Sequence, residues 1–98
     1  MSRPQASTPN TWRVEWDERA RDEYLKLDFE VQKDIARFLT ARIETAEDPR
    51  RFGKALTARF RHLWCYRVGA YRIIADIRDM VLIVLVVRVG HRRDVYQR

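Results

Sequence analysis

The sequence predicts an α+β fold, in which an N-terminal strand and a two-helix hairpin pack on an antiparallel sheet of about four strands. Three observations support this. A chain of 98 residues has room for one modest core. Apolar residues recur at helical spacing up to residue 43, and alternating, β-branched segments replace that spacing from residue 63 onward. Helices followed by a run of strands are typical of the α+β class.

The N-terminal residues 1–11 are polar, contain Pro4 and Pro9 and have no apolar segment resembling a secretory signal. We expect a flexible leader there, followed by one domain over residues 12–98. A first short strand is predicted at Trp12–Trp16, where apolar and charged side chains alternate.

Two amphipathic helices are predicted next. Asp17 is suited to cap the first helix, and Glu18 favours its first turn through the helix dipole. The pattern restarts at Asp28, and the second helix must end before Pro49 because the residue preceding proline disfavours helical geometry. One face of each helix is apolar, formed by Ala20, Tyr24 and Leu27 in the first and by Val31, Ile35, Phe38, Leu39 and Ile43 in the second.

The second half of the chain predicts an antiparallel meander with strands at Leu63–Val68, Tyr71–Ile77 and Val81–Val89. Short turns separate these segments, and β-branched and aromatic residues dominate them. The run Val81–Val87 is apolar at every position, which is typical of an inner strand covered on both faces.

The Gly69-Ala70 turn indicates how the first two meander strands pair. If it is a two-residue hairpin loop, Arg67 lies directly opposite Arg72. Because side chains alternate along a strand, one face carries Trp64, Tyr66, Val68, Tyr71, Ile73, Ala75 and Ile77, and the other carries Leu63, Cys65, Arg67, Arg72, Ile74 and Asp76. The apolar face should meet the helices. Two opposed arginines repel each other, and folding does not require them there. We therefore expect the second face to be the functional one.

The basic charge is concentrated in the same half of the chain. The net charge is +6, and 17 of the 20 basic residues are arginines. Residues 51–98 contain eleven basic and three acidic side chains. Arginine matches phosphate geometry, so a polyanionic partner is indicated, nucleic acid first and an acidic protein second. A further basic group at the end of the last strand would add to this charge if the segment curled back over the same face: Arg88, His91, Arg92 and Arg93.

Several kinds of site are not indicated. A single cysteine, Cys65, excludes an internal disulfide and favours a reducing, cytoplasmic compartment. Two histidines and one cysteine make no metal-ligand spacing, so neither a metal nor another cofactor is expected. The longest apolar run has seven residues, far fewer than the ~20 needed to span a bilayer. No phosphate-binding glycine loop or Ser/His/Asp signature occurs.

The residues themselves leave alternatives open. Arg67 and Arg72 are either anion ligands or solvated strand residues paired with a carboxylate. Cys65 is either an apolar filler or a nucleophile, and His91 either a general acid–base or a loop contact. Tyr96 either anchors the tail in the core, stacks on a base or presents its phenol to a phosphate.

Five segments together resemble the RelE toxins of bacterial type II toxin–antitoxin pairs. They are Tyr24-Leu-Lys-Leu-Asp28, Asp48-Pro-Arg50, Phe52-Gly-Lys-Ala-Leu56, Leu63-Trp-Cys-Tyr-Arg-Val-Gly-Ala-Tyr-Arg-Ile73 and Gly90-His-Arg-Arg-Asp-Val-Tyr96. The likeness runs in order from about Trp12 to Tyr96. It implies the RelE/ParE fold, with a helical hairpin on a curved antiparallel sheet.

The resemblance also implies a function. RelE toxins are endoribonucleases that cut mRNA in the ribosomal A site through metal-independent attack of a 2′-hydroxyl on the adjacent phosphate. It implies that Arg72 stabilises the phosphate, that Arg92 does so or protonates the leaving group, and that Tyr96 orients the 2′-hydroxyl. Further RNA-binding residues implied beside these are Arg61, Arg67, His91 and Arg93. The implied partners are the ribosome, mRNA and a cognate acidic antitoxin that forms a hetero-oligomer with the toxin.

The chain departs from the family at two positions, which keeps two other functions open. Relatives commonly carry a basic residue in place of Cys65, and some carry one in place of Leu63. The first alternative is a ParE-like inhibitor of DNA gyrase, which has the same fold and does not cut RNA. The second is a catalytically weak toxin homologue that acts as an antitoxin-binding module.

Overall fold

Two helices cover one face of a mixed five-stranded sheet in the computed structural model, which describes residues 11–57 and 62–95. The elements are β1 Arg13–Trp16, α1 Glu18–Leu25, α2 Phe29–Phe38, β2 Lys54–Ala55, β3 Trp64–Val68, β4 Tyr71–Arg78, β5 Ile83–His91 and α3 Arg92–Val95. The strand order is β1-β5-β4-β3-β2. The predicted α+β class is therefore confirmed.

The sheet differs from the predicted one in two ways. It has five strands rather than about four, because the two-residue strand β2 pairs with β3. It is also mixed rather than purely antiparallel, because β1 runs parallel to β5. The helical hairpin and strands β2 to β4 all lie between these two strands in sequence, which provides the long connection that a parallel pairing requires. The predicted leader lies, apart from Thr11, outside the described residues.

The two predicted helices are confirmed. The Asp17 carboxylate accepts a hydrogen bond from the backbone N–H of Ala20 at 2.9 Å, so it caps α1 as expected. After α2 the helical path continues through a π-helical turn, Leu39–Ile43, and ends before the proline. Tyr24 and Gln32 join the two helices: the tyrosine hydroxyl donates to the Gln32 carbonyl at 2.9 Å, and the Gln32 amide donates back to the Tyr24 carbonyl at 3.1 Å.

The main core lies between the helices and the predicted apolar face of the sheet. Tyr66, Ile73 and Ala75 are fully buried there, as expected. The buried residues of this core are Trp12, Ala20, Ile35, Leu39, Ile43, Tyr66, Ile73, Ala75, Val84, Val86 and Val89. Trp64, predicted on the same face, is only half-buried and lies beneath the guanidinium group of Arg50, 5.7 Å from its ring centroid.

A smaller apolar cluster lies on the opposite face of the sheet. Cys65 and Ile74 are each 4% exposed and form its centre, and three half-buried side chains, Leu56, Leu63 and Val87, pack against them. Cys65 therefore packs as a small apolar residue. The strand β5 is an inner strand, as predicted, but Ile83–Val87 is fully buried only on the helix side. Its other face is half-exposed because no helix of the described chain covers it.

Candidate functional site

The hairpin between β3 and β4 brings two arginines together on the face opposite the helices. Gly69 has a positive φ of 61°, whereas the φ of Ala70 is not positive. This combination matches a two-residue hairpin turn with glycine at its first position. The predicted register is confirmed: Val68 pairs with Tyr71 and Arg67 with Arg72. Directly opposed residues of an antiparallel pair have Cβ atoms about 5 Å apart. The fold therefore holds two like charges side by side.

The start of α3 lies next to this hairpin. The backbone N–H of Arg92 donates to the carbonyl of Ala70, in the turn itself, at 2.8 Å. On the other side of β4, Arg72 pairs with Gly90, which has no side chain to cover the arginine. The exposed Arg92 thus begins a short helix beside the two opposed arginines. We call Arg67, Arg72 and Arg92 the basic end of the sheet.

The carboxylates that the structure describes on the same face are bonded to other arginines. Asp76 is bonded by Arg78 at 3.3 Å, and Glu15, on β1, is bonded by Arg13 at 2.9 Å. Among the side chains that the structure describes, Arg67 and Arg92 have no ion-pair partner. The basic end therefore keeps a net positive charge, which suits the binding of an anion.

His91 does not join the basic end, contrary to the expected curling of this segment over the same face. It is the last residue of β5, pairs with Tyr71 and contacts that ring with a centroid separation of 5.5 Å. Paired residues project to the same face, so His91 lies on the helix side of the sheet. Its Nδ1 accepts a hydrogen bond from the backbone N–H of Arg93 at 3.2 Å. The Arg93 side chain is exposed, one residue into α3.

Another arginine of the last strand is engaged in holding the fold together. Arg88 donates to one oxygen of the Glu23 carboxylate at 2.9 Å, and the backbone N–H of Val89 donates to the other oxygen at 2.9 Å. Beyond Val86, β5 has no strand partner on that side. Glu23 therefore occupies a free strand edge and neutralises Arg88, which removes it from the set of anion ligands.

Two residues of the predicted site, Tyr96 and Arg61, lie outside the described residues. The sequence pattern did not single out Lys54, which lies on the same face of the sheet as Arg67 and Arg72. Its face follows from its pairing with Cys65 across β2 and β3. A strand of two residues has no recognisable periodicity, so only the pairing reveals its face. Within residues 11–57 and 62–93, no three His, Cys, Asp or Glu side chains are grouped as a metal site would need. No helix in the described part of the chain is long and apolar enough to cross a membrane.

The other end of β4 carries charges that are paired. Arg50 donates to both carboxylate oxygens of Asp79, at 3.1 and 2.6 Å, and to Asp48 at 3.2 Å. The hydrogen bond from Arg50 lowers the pKa of Asp79. Nearby, the buried Tyr66 hydroxyl donates to the carbonyl of Pro49 at 2.9 Å, and burial raises the pKa of this phenol well above its ordinary range. We call Asp48, Arg50, Tyr66 and Asp79 the clamped end.

Comparison with known proteins gives a consistent set of relatives. A family model described as the ParE toxin of type II toxin–antitoxin systems, parDE, matches residues 14–96. Toxin RelG from Mycobacterium tuberculosis is 36% identical to this chain over 67 residues, which is 63% of this chain and 77% of RelG.

Solved structures show the same architecture. The toxin–antitoxin complex RelBE2 from Mycobacterium tuberculosis contains a chain that aligns with a TM-score of 0.76 and 27% identity, covering 84% of this chain and 99% of that one. The isolated Escherichia coli RelE toxin aligns with a TM-score of 0.65 and 22% identity, over 82% of this chain and 83% of that one. A chain of the archaeal RelE–RelB complex from Pyrococcus horikoshii aligns with a TM-score of 0.63 and 16% identity, covering 86% of this chain and 98% of that one. At these last two identities the likeness concerns the fold alone.

Proposed function

This chain belongs to the ParE toxin family, within the RelE/ParE superfamily of type II toxin–antitoxin toxins, and from that premise we propose that it is a ribosome-dependent mRNA endoribonuclease. The observation that carries the proposal is the basic end. Arg67 and Arg72 are held directly opposite each other on an open face, and α3 begins beside them with Arg92. Arranged in this way, cations are suited to the charge that develops on a phosphate during cleavage.

The proposed reaction is an internal phosphoryl transfer. The 2′-oxygen of one nucleotide attacks the adjacent phosphorus, the bond to the 5′-oxygen of the next nucleotide breaks, and a cyclic phosphate remains. The 2′-hydroxyl loses a proton and the leaving 5′-oxygen gains one. In this scheme Arg72, with Arg67, stabilises the pentacoordinate phosphorane, while Arg92 assists it or protonates the leaving oxygen. Tyr96 orients the 2′-hydroxyl. Arg61 and Arg93 contact the RNA strand away from the cleaved phosphate.

His91 has a different place in this proposal from the one first expected. Its ring contacts Tyr71 on the helix side, whereas Arg72 lies on the opposite face. A base or phosphate held between Arg67 and Arg72 is therefore out of its direct reach. We assign His91 to contacts with ribosomal or messenger RNA outside the basic end, and we assign it no proton transfer.

The proposed partners follow from the family. Several structurally similar chains come from toxin–antitoxin complexes, RelBE2 among them, and we infer an antitoxin partner and a hetero-oligomer for this chain. An acidic segment of such an antitoxin would neutralise the basic end. Action on ribosomes implies the cytoplasm as the site of action.

The test compares two arginines of β4. Arg72→Ala removes a cation of the basic end, whereas Arg78→Ala removes one from the opposite end of the same strand, where it is paired with Asp76. Purified proteins are added to a reconstituted translation system, and mRNA 5′ ends are mapped by primer extension. We expect codon-positioned cuts with the wild type and with Arg78→Ala, and a rate about 100-fold lower with Arg72→Ala. Intact mRNA with wild-type protein would refute the proposal.

The family model itself favours a second candidate, inhibition of DNA gyrase without RNA cleavage. A supercoiling assay separates the two functions. Gyrase inhibition that persists in a Tyr96→Phe variant, together with intact mRNA, would favour this second candidate.

The burial of Cys65 favours a third candidate, a weak toxin homologue that binds antitoxin. Cys65 is 4% exposed among apolar neighbours and offers no charge to a phosphate. Weak cleavage by the wild type that Cys65→Arg increases at least ~10-fold would identify this case.

A further inference from the structure

The short strand β2 adds a cation to the face that carries the basic end. Lys54 pairs directly with Cys65, and Leu56, two residues further on, donates its N–H to the carbonyl of Leu63 at 3.0 Å. Leu56 packs against the small apolar cluster around Cys65. Residues two apart in a strand share a face, so Lys54 projects on the same side as Leu56 and Cys65. This is the side that carries Arg67 and Arg72.

The pairing fixes how far Lys54 lies from the basic end. It stands one strand away from Cys65, and Arg67 stands two residues along β3 from Cys65. Strand spacing and rise then put the Cα atoms of Lys54 and Arg67 about 8 Å apart. Arg72 continues the line on β4, opposite Arg67. Three cations thus lie on three neighbouring strands, beside an apolar surface formed by Leu63 and Val87.

The charge of Lys54 is not consumed within the described chain. Lys54 is exposed and forms no ion pair with any side chain that the structure describes. The exposed Lys33 is different, because its ammonium group lies 3.6 Å from Glu30 and 5.4 Å from the centroid of the Phe29 ring. An exposed lysine on an edge strand also prevents that edge from pairing with another chain. If Lys54 bound no ligand, this protection of the β2 edge would be its whole role.

We propose that Lys54 binds an RNA backbone phosphate next to the one held between Arg67 and Arg72, so that β2, β3 and β4 together hold two consecutive phosphates of single-stranded RNA. This inference deepens the proposed function and rests on it. The apolar surface beside the cations, formed by Leu63 and Val87, accommodates the ribose or base that links the two phosphates. Lys54 is therefore a substrate-binding residue that positions the strand for attack at the basic end.

The test measures phosphate binding separately from cleavage. The probe is a short single-stranded RNA with one 2′-deoxy substitution at each potential cleavage position, and fluorescence anisotropy gives its Kd over a range of salt concentrations. One lost phosphate contact lowers the slope of log Kd against log salt concentration by about 0.7. We expect that change, with a ~3- to 10-fold weaker Kd, for both Lys54→Ala and Lys54→Gln. Lys54→Arg should keep the wild-type slope, as should the matched control Lys33→Ala.

A second measurement separates this inference from the proposed function. Wild-type protein that leaves mRNA intact on ribosomes refutes the nuclease proposal, while the salt slope still decides whether Lys54 contacts a phosphate. If wild-type protein cleaves and Lys54→Ala keeps the wild-type slope and KM, the lysine only protects a strand edge and the inference is wrong. A wild type whose RNA binding shows no salt dependence also overturns it. Thermal melting of Lys54→Ala and Lys54→Gln confirms that both variants are folded.

Discussion

The arginines at the two ends of β4 have different neighbours: carboxylates at one end and another arginine at the other. At the clamped end, Arg50 donates to Asp79 and Asp48, and next to it, at the same end of β4, Arg78 donates to Asp76. At the basic end, Arg67 and Arg72 face each other, with Arg92 beside them. Arginines at the first end serve folding, because each is matched to a carboxylate. At the second end, two arginines lie directly opposite each other because the backbone pairing of β3 with β4 places them there.

This difference shows why the total charge is a poor guide to function. Residues 51–98 carry eleven basic side chains, yet Arg51, Arg78 and Arg88 are each bonded to a carboxylate. Among the residues of this half that the structure describes, Arg67, Arg72 and Arg92 concentrate positive charge at one end of one face. Four experiments break or sharpen the contrast.

The largest effect is expected from removing two arginines at either end. Arg67→Ala combined with Arg72→Ala should lower mRNA cleavage at least ~100-fold and reduce the salt slope of RNA binding by about 1.4, because two phosphate contacts are lost. Because the two removed charges repel each other, its urea midpoint should fall less than that of the double variant at the clamped end. Arg50→Ala combined with Arg78→Ala should lower the urea midpoint and leave cleavage within about threefold. Equal loss of cleavage in both double variants would erase the contrast.

The next largest effect concerns the close approach of the chain to Tyr66 at the clamped end. A Cβ atom at Gly53 would lie 2.9 Å from the Tyr66 ring, which is too close for two carbon atoms. We expect Gly53→Ala to lower the free energy of unfolding by about 1–3 kcal/mol, measured by urea denaturation. The salt slope of RNA binding should fall by no more than the ~0.7 of one phosphate contact, that of the neighbouring Lys54, because Arg67 and Arg72 are untouched. A wild-type urea midpoint would show that Tyr66 gives way without cost.

A smaller effect is expected from the Tyr66 hydroxyl, whose hydrogen bond holds the carbonyl of Pro49. Tyr66→Phe leaves that carbonyl without its donor and should cost about 1 kcal/mol of stability. Burial raises the pKa of Tyr66 above its ordinary value of 10.0, so the unfolded chain ionises before the folded one. The contribution of Tyr66 to wild-type stability should therefore be constant below that pH and fall above it, and the fall in stability at high pH should be shallower in Tyr66→Phe. Parallel pH profiles for the two proteins would contradict this account.

The smallest effect is expected for Asp79, whose pKa is lowered by the hydrogen bond from Arg50. The folded state keeps this carboxylate ionised more readily than the unfolded state, so the contribution is present above pH 3.8 and is lost as the pH falls below it. Because the side chain is 60% exposed, Asp79→Asn should cost only ~0.2–1 kcal/mol near neutral pH and less in high salt. The control is Asp34→Asn, which removes an exposed ion pair on α2.

Much of the fold is determined by local patterns in the sequence. The helix start at Asp17, the pairing of Arg67 with Arg72 and the burial of Ile73 and Ala75 were all predicted, and the structure confirms them. Each follows from periodicity or turn chemistry within a few residues, where steric rules leave few choices. The concentration of positive charge on the face that carries Arg67 and Arg72 follows from the same alternation.

The remaining features depend on contacts between residues far apart in sequence. Three features have no local signal: the parallel pairing of β1 with β5, the hydrogen bond from Arg88 to Glu23 and the position of His91 beside Tyr71. Lys54 is the clearest case, because its face is set by a two-residue strand that exists only where it pairs with β3. The sequence by itself determined which residues are cationic and placed Arg67 and Arg72 opposite each other on two meander strands. The tertiary structure decided which cations meet a carboxylate and which share an open face, because charges interact through distance in space and not through distance along the chain.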